Sequence, residues 1–137
     1  MFPRLLSALR LADLAAIIEA AEARARENKA WLSKHRETGR RLTAVGFNAM
    51  ALDRTPHPEH KRLCRLVEAL SPNARHQLMA VMWVGRGDES ADRFAAAVAY
   101  AREYPVIGVT YICGKAPLAK YLRAGITKLG VLVQWSS

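Results

Sequence analysis

Residues Ser71 to Asp88 read S-P-N-A-R-H-Q-L-M-A-V-M-W-V-G-R-G-D. From Leu78 to Val84 every side chain is apolar, so a helix here has no face to offer water and is expected at the buried centre of the fold. Its limits are written beside it. Ser71 has the hydroxyl of an N-cap, Pro72 at the first helical position gives up an N–H that has no partner there, and Gly85 can take the left-handed conformation that ends a helix.

On the N-terminal side, Pro58 to Leu70 places Leu63, Leu66, Val67 and Leu70 on one helical stripe and Lys61, Arg62, Arg65 and Glu68 off it. Pro72 breaks that helix and opens the next at once, which predicts a tight helical corner. On the other side the loop G-R-G-D-E-S leads to a helix from about Ala91 to Glu103, with Asp88 or Ser90 as cap and Phe94, Val98 and Ala101 inward. Pro117 opens a further helix through Leu129, with Leu118, Tyr121, Leu122, Ile126 and Leu129 on its apolar face and Gly130 at its end. Between these two, Val106 to Cys113 (V-I-G-V-T-Y-I-C) is rich in β-branched residues and suits strand and helix alike.

Nearer the N-terminus, Leu11, Leu14, Ile17, Ile18, Ala21, Ala25 and Leu32 recur at helical spacing, which predicts a long amphipathic helix over 8–32 capped by Ser7 or Asp13. Residues 39–57, punctuated by Gly39, Gly46 and Pro56, read as an irregular connection. The segment 131–137, V-L-V-Q-W-S-S, reads as an extended tail in which Val131, Val133 and Trp135 are candidate interface residues. The expected fold is all-α: one domain over 1–137, a compact bundle of five to seven helices around the helix at 71–84, with 58–130 as its helical core.

At 137 residues the chain is long enough to bury a core without disulfides, and 51% hydrophobic against 24% charged residues is the balance of a globular protein. No apolar run is long enough to span a bilayer, and Asp13 interrupts the apolar stretch that a secretory signal needs, so a cytoplasmic protein with no membrane association is expected. Cys64 and Cys113 lack C-x-x-C spacing and read as buried free thiols.

The net charge of +9 favours a polyanionic partner. Between Arg24 and Arg41 stand Arg24, Arg26, Lys29, Lys34, Arg36, Arg40 and Arg41 against only Glu27 and Glu37, which makes either a positive patch or a solvated helix face laced with local ion pairs. From Tyr104 onward Lys115, Lys120, Arg123 and Lys128 meet no acid at all, and Lys120 and Arg123 share a helix face. Of these, Arg24, Arg26, Lys34, Arg36, Arg40, Arg41, Lys115, Lys120, Arg123 and Lys128 are the candidate nucleic-acid or anion-binding set.

Catalytic chemistry finds little footing. Arg86 between two glycines, followed by Asp88, forms a candidate functional loop that could grip phosphate or carboxylate, although a helix cap at Gly85, a turn at Gly87 and a cap at Asp88 account for the same residues. His60 and Cys64 have the i, i+4 spacing of paired metal ligands, with His57 nearby, yet without carboxylate support the histidines read as surface and cap residues. Gly114-Lys115-Ala116-Pro117 lacks the flanking residues of a phosphate loop. No nucleophile motif or paired carboxylates appear, so neither an enzyme nor a cofactor or metal is expected.

The segment L-M-A-V-M-W-V-G-R-G-D, followed by an alanine-rich helix and Y-I-C-G-K-A-P-L-A-K-Y-L-R-A-G-I-T-K-L-G, resembles the bacterial domain of unknown function 3775 family. The residues that carry the likeness are Trp83, Gly85, Arg86, Gly87 and Asp88, then Tyr111, Gly114, Pro117, Leu118, Tyr121, Leu122, Gly125 and Gly130. The resemblance runs most strongly from about Pro58 to Gly130. It implies that Val106 to Cys113 is helical, and it implies no activity.

The expected function is that of a small non-enzymatic protein-interaction or regulatory module of a bacterial or phage protein, working with a protein partner or as a homodimer. The alternative is a basic nucleic-acid-binding accessory protein that uses the Arg24–Arg41 and Lys120/Arg123 surfaces.

Overall fold

The computed structural model describes residues 7–34, 57–103 and 108–131. Among these the chain forms six α-helices and one turn of 3-10 helix, with no strand: α1 (Leu11–Lys34), α2 (Pro58–Glu68), α3 (Pro72–Arg86), the 3-10 turn (Ala91–Arg93), α4 (Phe94–Glu103), α5 (Val109–Cys113) and α6 (Leu118–Leu129). The all-α expectation holds. The segment that propensity left open, Val106 to Cys113, contains α5, as the family likeness implies.

Helix α3 begins where Ser71 and Pro72 place it. Ser71 is extended, and its Oγ accepts the Ala74 N–H at 3.2 Å. Every residue from Gln77 to Val84 is buried, so the apolar run is in the core, packed against α4 and α6. Helix α1 packs on α2 and α6, and α2 packs on α5.

The C-terminus of α3 differs from expectation. Gly85 is not the cap: the helix continues through Arg86, and Gly87 is the residue with left-handed backbone, φ 94°. The Asp88 N–H reaches the Trp83 carbonyl at 2.9 Å and the Gly87 N–H the Val84 carbonyl at 3.2 Å, the paired bonds of a Schellman motif. Gly85 serves packing instead. A Cβ on it would stand 1.6 Å from the Tyr121 carbonyl oxygen, and one on Gly125 would stand 2.2 Å from that of Val81, so α3 and α6 touch through their backbones.

Helix α6 ends in the same way, with Gly130 at φ 70° and the Val131 N–H on the Ile126 carbonyl at 2.9 Å. Val131 and Ile126 are both buried, the apolar contact that accompanies such a cap. Val131 is therefore part of this chain's own core and is not a free interface residue. Val133 and Trp135, the other candidates in that tail, lie outside the described residues, as do most of the 39–57 connection and Arg36, Arg40 and Arg41.

The face of α1 is rotated from the expected one. Leu14, Ile17, Ile18 and Ala21 are buried, but Leu11 and Leu32 are exposed at 42% and 40%, and Ala25 is exposed too. Arg24 and Trp31 take the inward positions. The start of α1 is tied down by Gln77 of α3, whose Oε1 accepts the N–H groups of Ala8 and Leu9 at 3.0 and 2.8 Å while its Nε2 donates to Ser7 Oγ at 3.1 Å. A buried side-chain amide here replaces the helical partners that these backbone groups lack.

Candidate functional site

Among the described residues three groups of side chains bring polar chemistry together. The first surrounds the end of α3. Arg86 and Asp88 pair across Gly87 at 2.5 Å, and the Tyr111 hydroxyl is near enough to interact electrostatically with the Arg86 guanidinium. The same hydroxyl accepts from Trp83 Nε1 at 3.1 Å, and the Lys115 ammonium stands 4.3 Å from the Tyr111 ring centroid. Tyr100 meets the Trp83 indole edge-on, ring centroids 5.6 Å apart. Residues separated in sequence thus support the loop, which leaves Arg86 with an acid beside it and a phenol behind it.

The second group is a surface built by α1 and α6. Glu22, Arg26 and Lys29 follow one another at i, i+4 and i+7, and Lys120 and Arg123 at i, i+3. The helices meet at Glu22 and Arg123, whose carboxylate and guanidinium make two parallel bonds of 2.8 and 2.9 Å. Its hydrogen bond to Arg123 holds the Glu22 carboxyl below the usual carboxylate range against the opposing effect of burial, and the charges of Arg123 and Arg26 add to it. Two residues on from Glu22, Arg24 reaches the Lys115 carbonyl in the turn that precedes α6. Arg26, Lys29 and Lys120 are exposed and in no ion pair among the described residues.

Several expected surface cations are used otherwise. Lys128 donates to the Val84 carbonyl at 3.1 Å, a positive charge at the carbonyl end of α3. Lys115 lies over Tyr111, away from open solvent on that side. Arg24 is the clearest correction: at 3% exposure it is buried, and its guanidinium donates to the carbonyls of Cys113 and Lys115, so it ties α1 to the α5–α6 turn. It is closed to a polyanion. The Lys34 side chain lies outside the described residues.

The third group stands around Arg24. His60 Nδ1 is 3.4 Å from the guanidinium, and His60 Nε2 is 3.5 Å from Cys64 Sγ, so the half-buried ring is turned toward Arg24 and Cys64. Burial lowers the His60 pKa, with the charges of Arg24 and His57 acting the same way and Glu27 against them. His57 Nδ1 is 3.7 Å from Glu27, whose other oxygen accepts the Glu59 N–H at 3.1 Å at the start of α2. Among the described residues no group of three or more His, Cys, Asp or Glu is disposed to hold a metal ion. The sequence signal for this cluster was present in register: Leu14, Ile17, Ala21 and Arg24 step by three, four and three along one stripe.

The described residues form a small all-α module, and among them no helix is long and apolar enough to cross a membrane. Residues 60–131 match the family model described as "Protein of unknown function (DUF3775)", and the chain belongs to that family. No curated protein and no solved structure matches it. The matched region contains α3, the Arg86 loop and α6, while α1, which supplies Glu22 and Arg24, precedes it.

Proposed function

We propose that the chain is a non-enzymatic accessory module that binds nucleic acid along α1 and α6. The observation that carries this reading is the Glu22–Arg123 pair, which brings two basic segments about a hundred residues apart onto one surface. Around that pair Arg26, Lys29 and Lys120 are exposed and in no ion pair among the described residues, while the acids Glu22 and Glu19 both act on Arg123. Long side chains with free cationic ends follow a phosphate backbone without reading bases, so the expected binding is tolerant of sequence.

The reading as an apolar protein-interaction module has less support. The exposed large hydrophobic residues described are Leu11, Leu32 and Tyr100. Leu11 and Leu32 are about 30 Å apart along one helix at its ordinary rise, and Tyr100 is on α4, so they do not make a patch.

The test is titration of fluorescently labelled duplex DNA, single-stranded DNA and RNA with the wild-type chain and with a triple variant, R26Q/K29Q/K120Q. These positions are exposed and unpaired, so the variant should fold as the wild type does. Its affinity should fall about tenfold or more, alike for unrelated sequences. Unchanged affinity would remove this face from consideration.

A further inference from the structure

The start of α1 and the corner between α2 and α3 enclose a cavity of about 290 Å³ that shares no lining residue with the α1–α6 surface or the Arg86 loop. Its floor is apolar and buried, since Ile17, Leu70 and Ala74 are at most 8% exposed. Ala8 and Leu66, both half-buried, wall it, and the exposed Ala69 and Ser71 stand at its mouth. Both sides are fixed in advance: Gln77 holds the Ala8 N–H at 3.0 Å, and Ser71 Oγ holds the Ala74 N–H at 3.2 Å. A ligand therefore enters without the cost of ordering the walls.

The polar groups of the cavity are one pair of opposite charges. Arg10, Asp13 and Ile17 follow one another at i, i+3 and i+7, so they share a side of α1 and the charged pair borders the apolar floor. Arg10 Nε donates to Asp13 Oδ2 at 3.0 Å and Nη2 to Oδ1 at 3.5 Å. Two of the five guanidinium N–H groups are used in this way, and the carboxylate keeps lone pairs of its own. Each partner can therefore take a further opposite charge while the pair stays intact. Ser71 Oγ accepts from Ala74, and its O–H can donate to an anion.

We propose that this cavity binds a free α-amino acid with an aliphatic side chain. An apolar carboxylate would meet repulsion from Asp13, and an apolar amine would meet it from Arg10. A zwitterion meets attraction at both ends, and an α-amino acid carries its two charges on either side of a single carbon, the scale of the Arg10–Asp13 pair. Its carboxylate is placed against Arg10 and the Ser71 O–H, its ammonium against Asp13, and its side chain on Ile17, Leu70 and Ala74. A volume of about 290 Å³ is at the small end for ligand pockets, which suits one amino acid rather than a peptide.

The test titrates the full-length chain with L-leucine and follows its backbone amide NMR signals. Saturable shifts are expected at Ala8, Ala69, Ser71 and Ala74, with a Kd of about 1 mM or tighter. Isocaproate, which lacks the ammonium, isoamylamine, which lacks the carboxylate, and glycine, which lacks the side chain, should each bind about tenfold or more weakly. In Asp13→Asn, whose exposed site leaves the fold intact, the preference for leucine over isocaproate should disappear. Ala69 has αR backbone that accepts any side chain, so Ala69→Trp should fold, cover the mouth and abolish the shifts. The proposal is overturned if leucine causes no saturable shift, if isocaproate or isoamylamine binds the wild type as well as leucine does, or if folded Ala69→Trp binds leucine unchanged.

Discussion

Gly85 of α3 and Gly125 of α6 face each other across a helix crossing at which backbone meets backbone. The hypothetical Cβ positions, 1.6 Å from the Tyr121 oxygen and 2.2 Å from the Val81 oxygen, are closer than any atom can come, so a methyl group at either site must push the helices apart. Gly85→Ala or Gly125→Ala should lower stability by about 3 kcal/mol or more in urea unfolding, at the upper end for overpacked cores. Gly87 provides the contrast. Its φ of 94° strains any side chain, but nothing lies within 4 Å of its Cβ position, so Gly87→Ala should cost only about 1–2 kcal/mol.

Removal of the buried guanidinium should be as damaging as a core deletion. Arg24→Ala leaves the Cys113 and Lys115 carbonyls without their donor and opens a cavity between α1 and α5, for an expected loss of about 3 kcal/mol. Arg24→Lys should recover little of it, because an ammonium cannot reproduce the planar fork that reaches both carbonyls. The midpoint of denaturant unfolding measures both.

The amide of Gln77 holds the entry to α1. In Gln77→Ala the Ala8 and Leu9 N–H groups lose their acceptor, which should cost about 1–3 kcal/mol and abolish hydrogen-exchange protection at those two amides while α3 stays protected. Gln77→Glu keeps an acceptor for the two N–H groups, and the Ser7 hydroxyl can turn to donate to it, but it buries a charge, so it should rescue only in part.

Acid should weaken the fold in two windows. His60 and His76 both have native pKa values lowered first by burial, then by Arg24 and His57 for the one and by Arg102 and Arg75 for the other. The unfolded chain therefore binds protons more readily. The stability these neutral rings contribute is complete above the unfolded histidine value of about 6.5 and is lost as pH falls through the lower folded values. Glu22, lowered chiefly by Arg123, adds a loss of the same sign below about pH 4.3, its unfolded value. Urea midpoints measured across pH should fall below about 6.5, and a His60→Gln/His76→Gln variant should flatten the upper window alone.

What the sequence discloses is local. Ser71 and Pro72 mark the start of α3 because a cap acts on atoms three residues away, and the apolar run from Leu78 to Val84 can only be buried. Gly130 was readable as a cap for the same reason. Gly85 was not readable as a packing residue, because glycine at a helix end and glycine at a helix crossing look alike until the Tyr121 carbonyl is in place. Arg24 was placed among surface cations on charge alone, although its register along α1 is that of the buried stripe, and the carbonyls that satisfy it lie some ninety residues on. Lys120 and Arg123 were legible as a basic face, while the acid that neutralises Arg123 belongs to another helix.

The most direct measurement is the salt dependence of nucleic-acid binding. Each phosphate neutralised contributes about 0.9 to the log–log slope for duplex DNA and about 0.7 for a single strand. With Arg26, Lys29 and Lys120 in contact with phosphates, the wild-type slope should be about 3 or steeper and should drop by about 1 for each of the three charges removed. No binding at low salt, or a slope that the R26Q/K29Q/K120Q variant leaves unchanged, would contradict a polyanion-binding face on α1 and α6.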